Sequence, residues 1–131
     1  MKPRIRSYKD LLVWQRAVQL FVAVTSLCRK LPRRDRLVFD VQLRKAARSV
    51  SSNIGEGHER YDLGDYLRHL SFARSTLAEA ENDLVLIDKT TSGLQTELSE
   101  CNALAEEVGR MLTTMSARLR RIWKRSKTPR T

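Results

Sequence analysis

Asp62-Leu63-Gly64-Asp65-Tyr66-Leu67-Arg68-His69-Leu70-Ser71-Phe72-Ala73-Arg74-Ser75-Thr76-Leu77-Ala78-Glu79-Ala80-Glu81-Asn82-Asp83-Leu84-Val85-Leu86-Ile87 holds an unbroken apolar seam. Leu63, Tyr66, Leu70, Ala73, Leu77, Ala80, Leu84 and Ile87 follow one another at alternating spacings of three and four. That period is an α-helix with one stripe turned to a partner helix at a shallow crossing angle. Asp62 is placed to cap the helix, with Asp65 at its third position.

The same period recurs outward in both directions. Leu94, Leu98, Cys101, Ala105, Val108, Leu112, Met115, Leu119 and Ile122 form a second long seam, opened by a Ser92–Gln95 capping pair. Upstream, Phe39, Leu43, Ala46, Ala47, Val50 and Ile54 predict a buried face on a helix from about Asp35 to Ile54, ended by Gly55 and Gly57. The first helix is expected from about Tyr8 to Lys30, capped by Ser7 with Asp10 and stopped by Pro32. It carries two stripes: Leu11, Trp14, Val18, Phe21, Thr25 and Cys28, and then Val13, Ala17, Leu20, Val24, Leu27 and Leu31. Two stripes predict burial on two sides. Short links join antiparallel neighbours, so the expected fold is all-α, an antiparallel up-down-up-down four-helix bundle. The competing long coiled coil is disfavoured by Pro32, Gly55, Gly57 and the 90–93 segment. The organisation expected is a basic arm over 1–7, the bundle over 8–124 and a basic tail over 125–131.

A chain of 131 residues with 41% hydrophobic and 31% charged content suits one soluble domain rather than a disordered segment. The net charge of +10 is segregated. Residues 1–48 hold 13 basic and 3 acidic side chains, residues 49–116 hold 5 and 12, and residues 117–131 hold 7 and none. Such segregation points basic surfaces at a polyanion. In an up-down bundle Lys2, Arg4 and Arg6 share one pole with Arg118, Arg120, Arg121, Lys124 and Arg125. Arg29, Lys30, Arg33, Arg34 and Arg36 fall at the other pole, diluted by Asp35, and Arg44, Lys45 and Arg48 share a face of the second helix with Asp40 near Arg44. The basic clusters are the candidate contacts to RNA or DNA phosphates. A solvated face, or pairing with the acidic third and fourth helices, is the plain alternative for the second-helix cluster. Trp123 among the tail cations either packs at the end of its helix, stacks on a base or meets a membrane interface. Nothing reads as a sequence-specific reader module: there is no zinc-finger spacing, no glycine-aromatic RNA-binding signature and no GxxG loop.

Catalysis is not expected. There is no Glu-x-x-His pair for a di-iron site, no phosphate-binding glycine loop and no nucleophile elbow. Neither a cofactor, a metal nor a small-molecule substrate is implied. His69, four residues after Asp65, reads as a solvent-facing or interface histidine, and Cys28 and Cys101 as small buried thiols on one pole. The longest all-apolar run, Leu20 to Val24, is too short for a membrane span, and the start lacks a signal-peptide core, so a cytoplasmic protein is expected.

Four segments carry a family resemblance. Tyr8-Lys9-Asp10-Leu11-Leu12-Val13-Trp14-Gln15-Arg16-Ala17 resembles the opening of the bacterial four-helix-bundle proteins encoded in 23S rRNA intervening sequences. Leu43-Arg44-Lys45-Ala46-Ala47 and Ser52-Asn53-Ile54-Gly55-Glu56-Gly57 resemble that family's second helix and its end. Phe72-Ala73-Arg74-Ser75, with Leu77, Glu79, Glu81 and Leu84, is similar to its third helix, and Val108-Gly109-Arg110-Met111-Leu112 to its fourth. The resemblance spans roughly residues 7 to 120. Two departures are Ser51, where the family usually has Pro, and Gly55, where it usually has Ala. The resemblance implies a ring-shaped homopentamer, which would place the stripe of Val13, Ala17, Leu20, Val24 and Leu27 at a subunit interface. A cousin of this fold is the accessory variability protein of diversity-generating retroelements. That likeness implies nucleic-acid binding and a reverse-transcriptase partner. The resemblance supplies no catalytic residue; Glu56 and Arg60 are expected to support the nearby turn or a subunit contact. A purely structural assembly protein and a peripheral binder of anionic membranes are the other readings.

Overall fold

The computed structural model describes residues 4–127, and among them every regular element is helical. A short 3-10 turn, Tyr8–Asp10, precedes α1 (Leu12–Lys30), α2 (Arg33–His58), α3 (Leu63–Thr90) and α4 (Gln95–Lys127). Each helix packs on its neighbour in sequence, and α4 closes back on α1, so the four form a square bundle. The fold class expected from periodicity is therefore observed. Lys2 lies outside the described residues, as does the last part of the tail; α4 runs past the boundary expected at residue 124.

The capping box at Ser7 forms, but around the 3-10 turn rather than α1. Asp10 Oδ2 accepts from Arg6 N at 2.8 Å and Ser7 N at 3.2 Å, and Ser7 Oγ accepts from Lys9 N at 3.2 Å. Leu11 is extended, with φ −73° and ψ 126°, and α1 starts after it. Tyr8 then folds edge-on against Trp14, ring centroids 5.3 Å apart.

The expected end of α2 is corrected. The helix runs through Gly55 and Gly57 to His58, and neither glycine has positive φ. Their role is close packing. A Cβ on Gly57 would lie 2.8 Å from His69 Cβ and 2.9 Å from Tyr66 Cδ1, so α2 and α3 approach more closely than any side chain allows. The one positive φ among the described residues is at Gly93, 84°, in the turn before α4. That turn displaces the expected Ser92–Gln95 pair: Gln95 Nε2 instead donates to Asp88 Oδ1 at 3.1 Å.

The α3 seam is buried from Tyr66 through Ile87, and α4 contributes Leu98, Cys101, Ala105, Val108 and Leu112 to the same core. On α1 the core takes Val13, Ala17, Leu20, Val24 and Leu27. This overturns their expected place at a subunit interface: they fill the chain's own interior and present nothing to another copy. The physical reason is geometric. A helix at one corner of a square bundle buries the stripe that points between its two neighbours. The other stripe, with Trp14, Val18 and Phe21, is left half-buried.

Candidate nucleic-acid interface

The last turns of α4 stand beyond the acidic middle of the chain. Arg118, Arg120, Arg121, Lys124 and Arg125 are all exposed there. Residues 118, 121 and 125 share one face and 120 and 124 an adjoining one, so positive charge covers nearly half of the helix's circumference over a rise of about 10 Å, opposite Leu119, Ile122 and Trp123. Cations at a helix C-terminus also meet the negative end of its dipole, which stabilises this placement. Arg118, Arg120, Arg121 and Arg125 make no ion pair with the described residues. Trp123 holds the segment down: it is half-buried, its Nε1 would be 3.5 Å from a Cβ on Gly64, and Lys127 Nζ sits 4.8 Å from its ring centroid. Of its three expected roles, packing at the helix end is the one its contacts show.

Arg4 and Arg6 are exposed on the arm before the Ser7 cap, whose hydrogen bonds to Asp10 fix the backbone at Arg6. At the opposite pole Arg33, Arg34 and Arg36 are exposed in the first turn of α2; Arg33 and Arg34 make no ion pair with the described residues, Arg36 lies in the field of Asp40, and Asp35 accepts a 3.1 Å hydrogen bond from Thr91 Oγ1. The α2 cluster divides. Arg44 Nε donates to Asp40 Oδ1 at 2.6 Å, and this bond holds the Asp40 carboxyl below the usual carboxylate range. Lys45 and Arg48 are exposed and make no such pair with the described residues. The cross-helix ion pairs are Arg16–Glu107 at 2.9 Å and Lys30–Glu97 at 2.8 Å, so Lys30, one of the cations at the pole of Arg33, Arg34 and Arg36, is taken up by α4. The acidic middle therefore leaves the α4 arginines uncompensated.

Other features have plainer roles. Of the two roles expected for His69, facing solvent is excluded, since it is buried between α3 and α2: its Nδ1 lies 3.1 Å from Asn53 Oδ1. Asn53 Nδ2 donates to the Ser49 carbonyl at 2.9 Å, which turns Oδ1 to the ring and makes Nδ1 of His69 the donor. Cys28 and Cys101 are buried free thiols, each pushed up to about 12, chiefly by burial. A cleft of about 630 Å³ between α1 and α2 is lined by Tyr8, Trp14, Ser51, Ser52, Gly55, Glu56, Glu59 and Arg60. It includes both departures from the family resemblance and holds two carboxylates against one guanidinium, a poor setting for a phosphate. Among the described residues no group of His, Cys, Asp or Glu converges as a metal site, and no helix is long and apolar enough to cross a membrane.

Sequence reasoning passed over an exposed apolar group on α2. Leu37, Val38 and Val41 are 81%, 63% and 68% exposed. The signal was legible, since all three fall off the 39–43–46–50 stripe that faces the core.

No curated protein matches the chain. A model of the family described as 23S rRNA-intervening sequence protein matches residues 9–114, from the 3-10 turn to the middle of α4 and short of the cationic end. With more than two-thirds of its length matched, and four helices packed as a bundle, this chain belongs to the 23S rRNA-intervening sequence protein family.

Proposed function

We propose that the protein is a non-catalytic scaffold that binds RNA or DNA through phosphates and works as a ring-shaped homopentamer. One observation carries the nucleic-acid reading. Arg118, Arg120, Arg121 and Arg125 crowd the end of α4 without ion pairs to the described residues, in a segment that contains no acid. Arginines left so close together repel one another, and a polyanion removes that cost while releasing its own counterions. Arg4 and Arg6 join them from the arm at the same pole. The family's description favours RNA over DNA as the first ligand to test. A reverse transcriptase is the protein partner suggested by the likeness to the accessory variability protein.

Filter binding of single-stranded RNA and of DNA at two salt concentrations tests the reading. Tight binding at low salt that weakens steeply at high salt is expected, with little sequence preference. A triple variant, Arg120→Glu, Arg121→Glu and Arg125→Glu, should lose binding while sedimenting like the unmodified chain. Full affinity in that variant removes the tail from the reading, and no binding at low salt removes the reading itself.

A further inference from the structure

Two exposed features of this chain, a ridge and a groove, lie on different helices. The first is the outward ridge of α2. Leu37 and Val41 lie one above the other at i,i+4 spacing, Val38 stands beside them, and exposed Arg34 and Lys45 close the two ends. Three large aliphatic side chains exposed by more than 60% within five residues is the composition of an interface core, with charge at its rim. The second surface is the groove between α1 and α4, about 610 Å³, floored by Val18, Val22, Ala23 and Leu104. Its α4 edge carries Glu100 and Glu107. Glu107 is held by Arg16 at 2.9 Å, whereas Glu100 makes no ion pair with the described residues.

We infer that the α2 ridge of one copy seats in the α1–α4 groove of a second copy. This deepens the oligomeric part of the proposed function and rests on it. The shapes agree, since an i±4 ridge packs into an interhelical groove. The sizes agree too. The apolar part of the ridge, Leu37 to Val41, rises about 6 Å and falls within the groove wall of about 12 Å from Val18 to Ser26. The rims are complementary in charge, with Arg34 and Lys45 on the ridge opposite Glu100 on the groove, while Glu107 is already held by Arg16. Ridge and groove are different surfaces of the same chain. Each copy therefore offers one of each, the contact is heterologous, and repetition closes a ring or extends a filament. Lys45 then serves the subunit contact rather than a phosphate. The apolar surface joining copies is the side of α1 with half-buried Val18 and exposed Val22, not the buried stripe of Val13, Ala17, Leu20, Val24 and Leu27.

The test uses the full chain in sedimentation velocity, with helical circular dichroism to confirm folding. Val41→Glu destroys the ridge and Val22→Glu the groove, both at positions exposed in the single chain. Each variant alone is expected to be monomeric, with association weakened about 30-fold or more, the loss typical of a central interface residue. Mixed together they should form a one-to-one dimer and stop there, because one intact ridge and one intact groove remain. The charge swap gives an independent reading that does not depend on either glutamate being tolerated. Lys45→Glu should weaken assembly, and adding Glu100→Lys should restore it. Variants that both sediment as the unmodified oligomer overturn the inference while leaving an oligomeric scaffold in place. Loss in Val41→Glu with none in Val22→Glu also overturns it, in favour of ridge meeting ridge. A monomeric unmodified chain removes this inference and the proposed oligomer together, and leaves phosphate binding to be judged by the filter assay.

Discussion

Gly57 shows how one missing methyl sets the separation of two helices. Alanine would gain roughly 1 kcal/mol of helix propensity at either Gly55 or Gly57. At Gly57 the new Cβ meets His69 Cβ at 2.8 Å and Tyr66 Cδ1 at 2.9 Å, atoms that cannot move without shifting α3. Overpacking of this kind costs about 1–3 kcal/mol and should outweigh the propensity gain. At Gly55 the nearest atom is Tyr8 Cδ2 at 3.2 Å, on a half-buried ring that has room to yield. Gly57→Ala should therefore lower the urea midpoint clearly, and Gly55→Ala should leave it nearly unchanged. Tyr66 carries the opposite kind of cost. Its hydroxyl is buried with no hydrogen-bond partner among the described residues, and burial pushes its ionisation up to about 12. Tyr66→Phe removes an unsatisfied donor and should be neutral or stabilising by about 1 kcal/mol in the same assay. The thiols of Cys28 and Cys101, held protonated by burial, should react slowly with Ellman's reagent at pH 8 and rapidly once urea unfolds the chain.

At the level of elements, carboxylates cap a turn, brace a helix and join one helix end to another, and each has a direction with pH. Asp10 is held below its usual range by the backbone N–H groups of Arg6 and Ser7, Asp40 by Arg44, and Glu97 by Lys30. A carboxyl lowered in the folded state contributes stability above its unfolded value, near pH 4, and loses it as pH falls through the folded value. Glu81 and Asp83 run the other way. Partial desolvation raises both, with Glu106 repelling the exposed Glu81 as well, so their charged forms cost a little stability at neutral pH and the cost is relieved on acidification. Urea midpoints should therefore fall below about pH 4, and Glu97→Gln should flatten that fall. Glu81→Gln should raise the midpoint at pH 7 and change it least in acid.

For the whole molecule the governing quantity is uncompensated charge. If four arginines of α4 each neutralise one phosphate of a single strand, log affinity should fall with log salt at a slope near −3. Raising salt from about 50 to about 200 mM should then weaken binding about 50-fold, as filter titration would read. A slope near zero would mean that the cations are not at the interface. Assembly and binding should separate: the α4 triple variant loses the second, and the α2 ridge variant the first.

The residue order alone was enough for the four helices, because a side chain every three or four positions can be buried only by a helix packed on helices. It was also enough for the segregation of charge and for the family, whose segments are contiguous in the chain. It did not tell which stripe of α1 faces inward, since both are apolar and only the position of α1 between α2 and α4 chooses between them. Nor did it tell that Gly57 is a packing residue rather than a helix stop, because the atoms that require it, on His69 and Tyr66, belong to another helix. The pairing of charges between helices was equally hidden, although that of Arg44 with Asp40, four residues away, was legible. Arg44 turns to Asp40 on its own helix while Arg16 and Lys30 reach across to α4. Side chains remote in sequence become neighbours only when the bundle closes, and that closure decides which cations stay free.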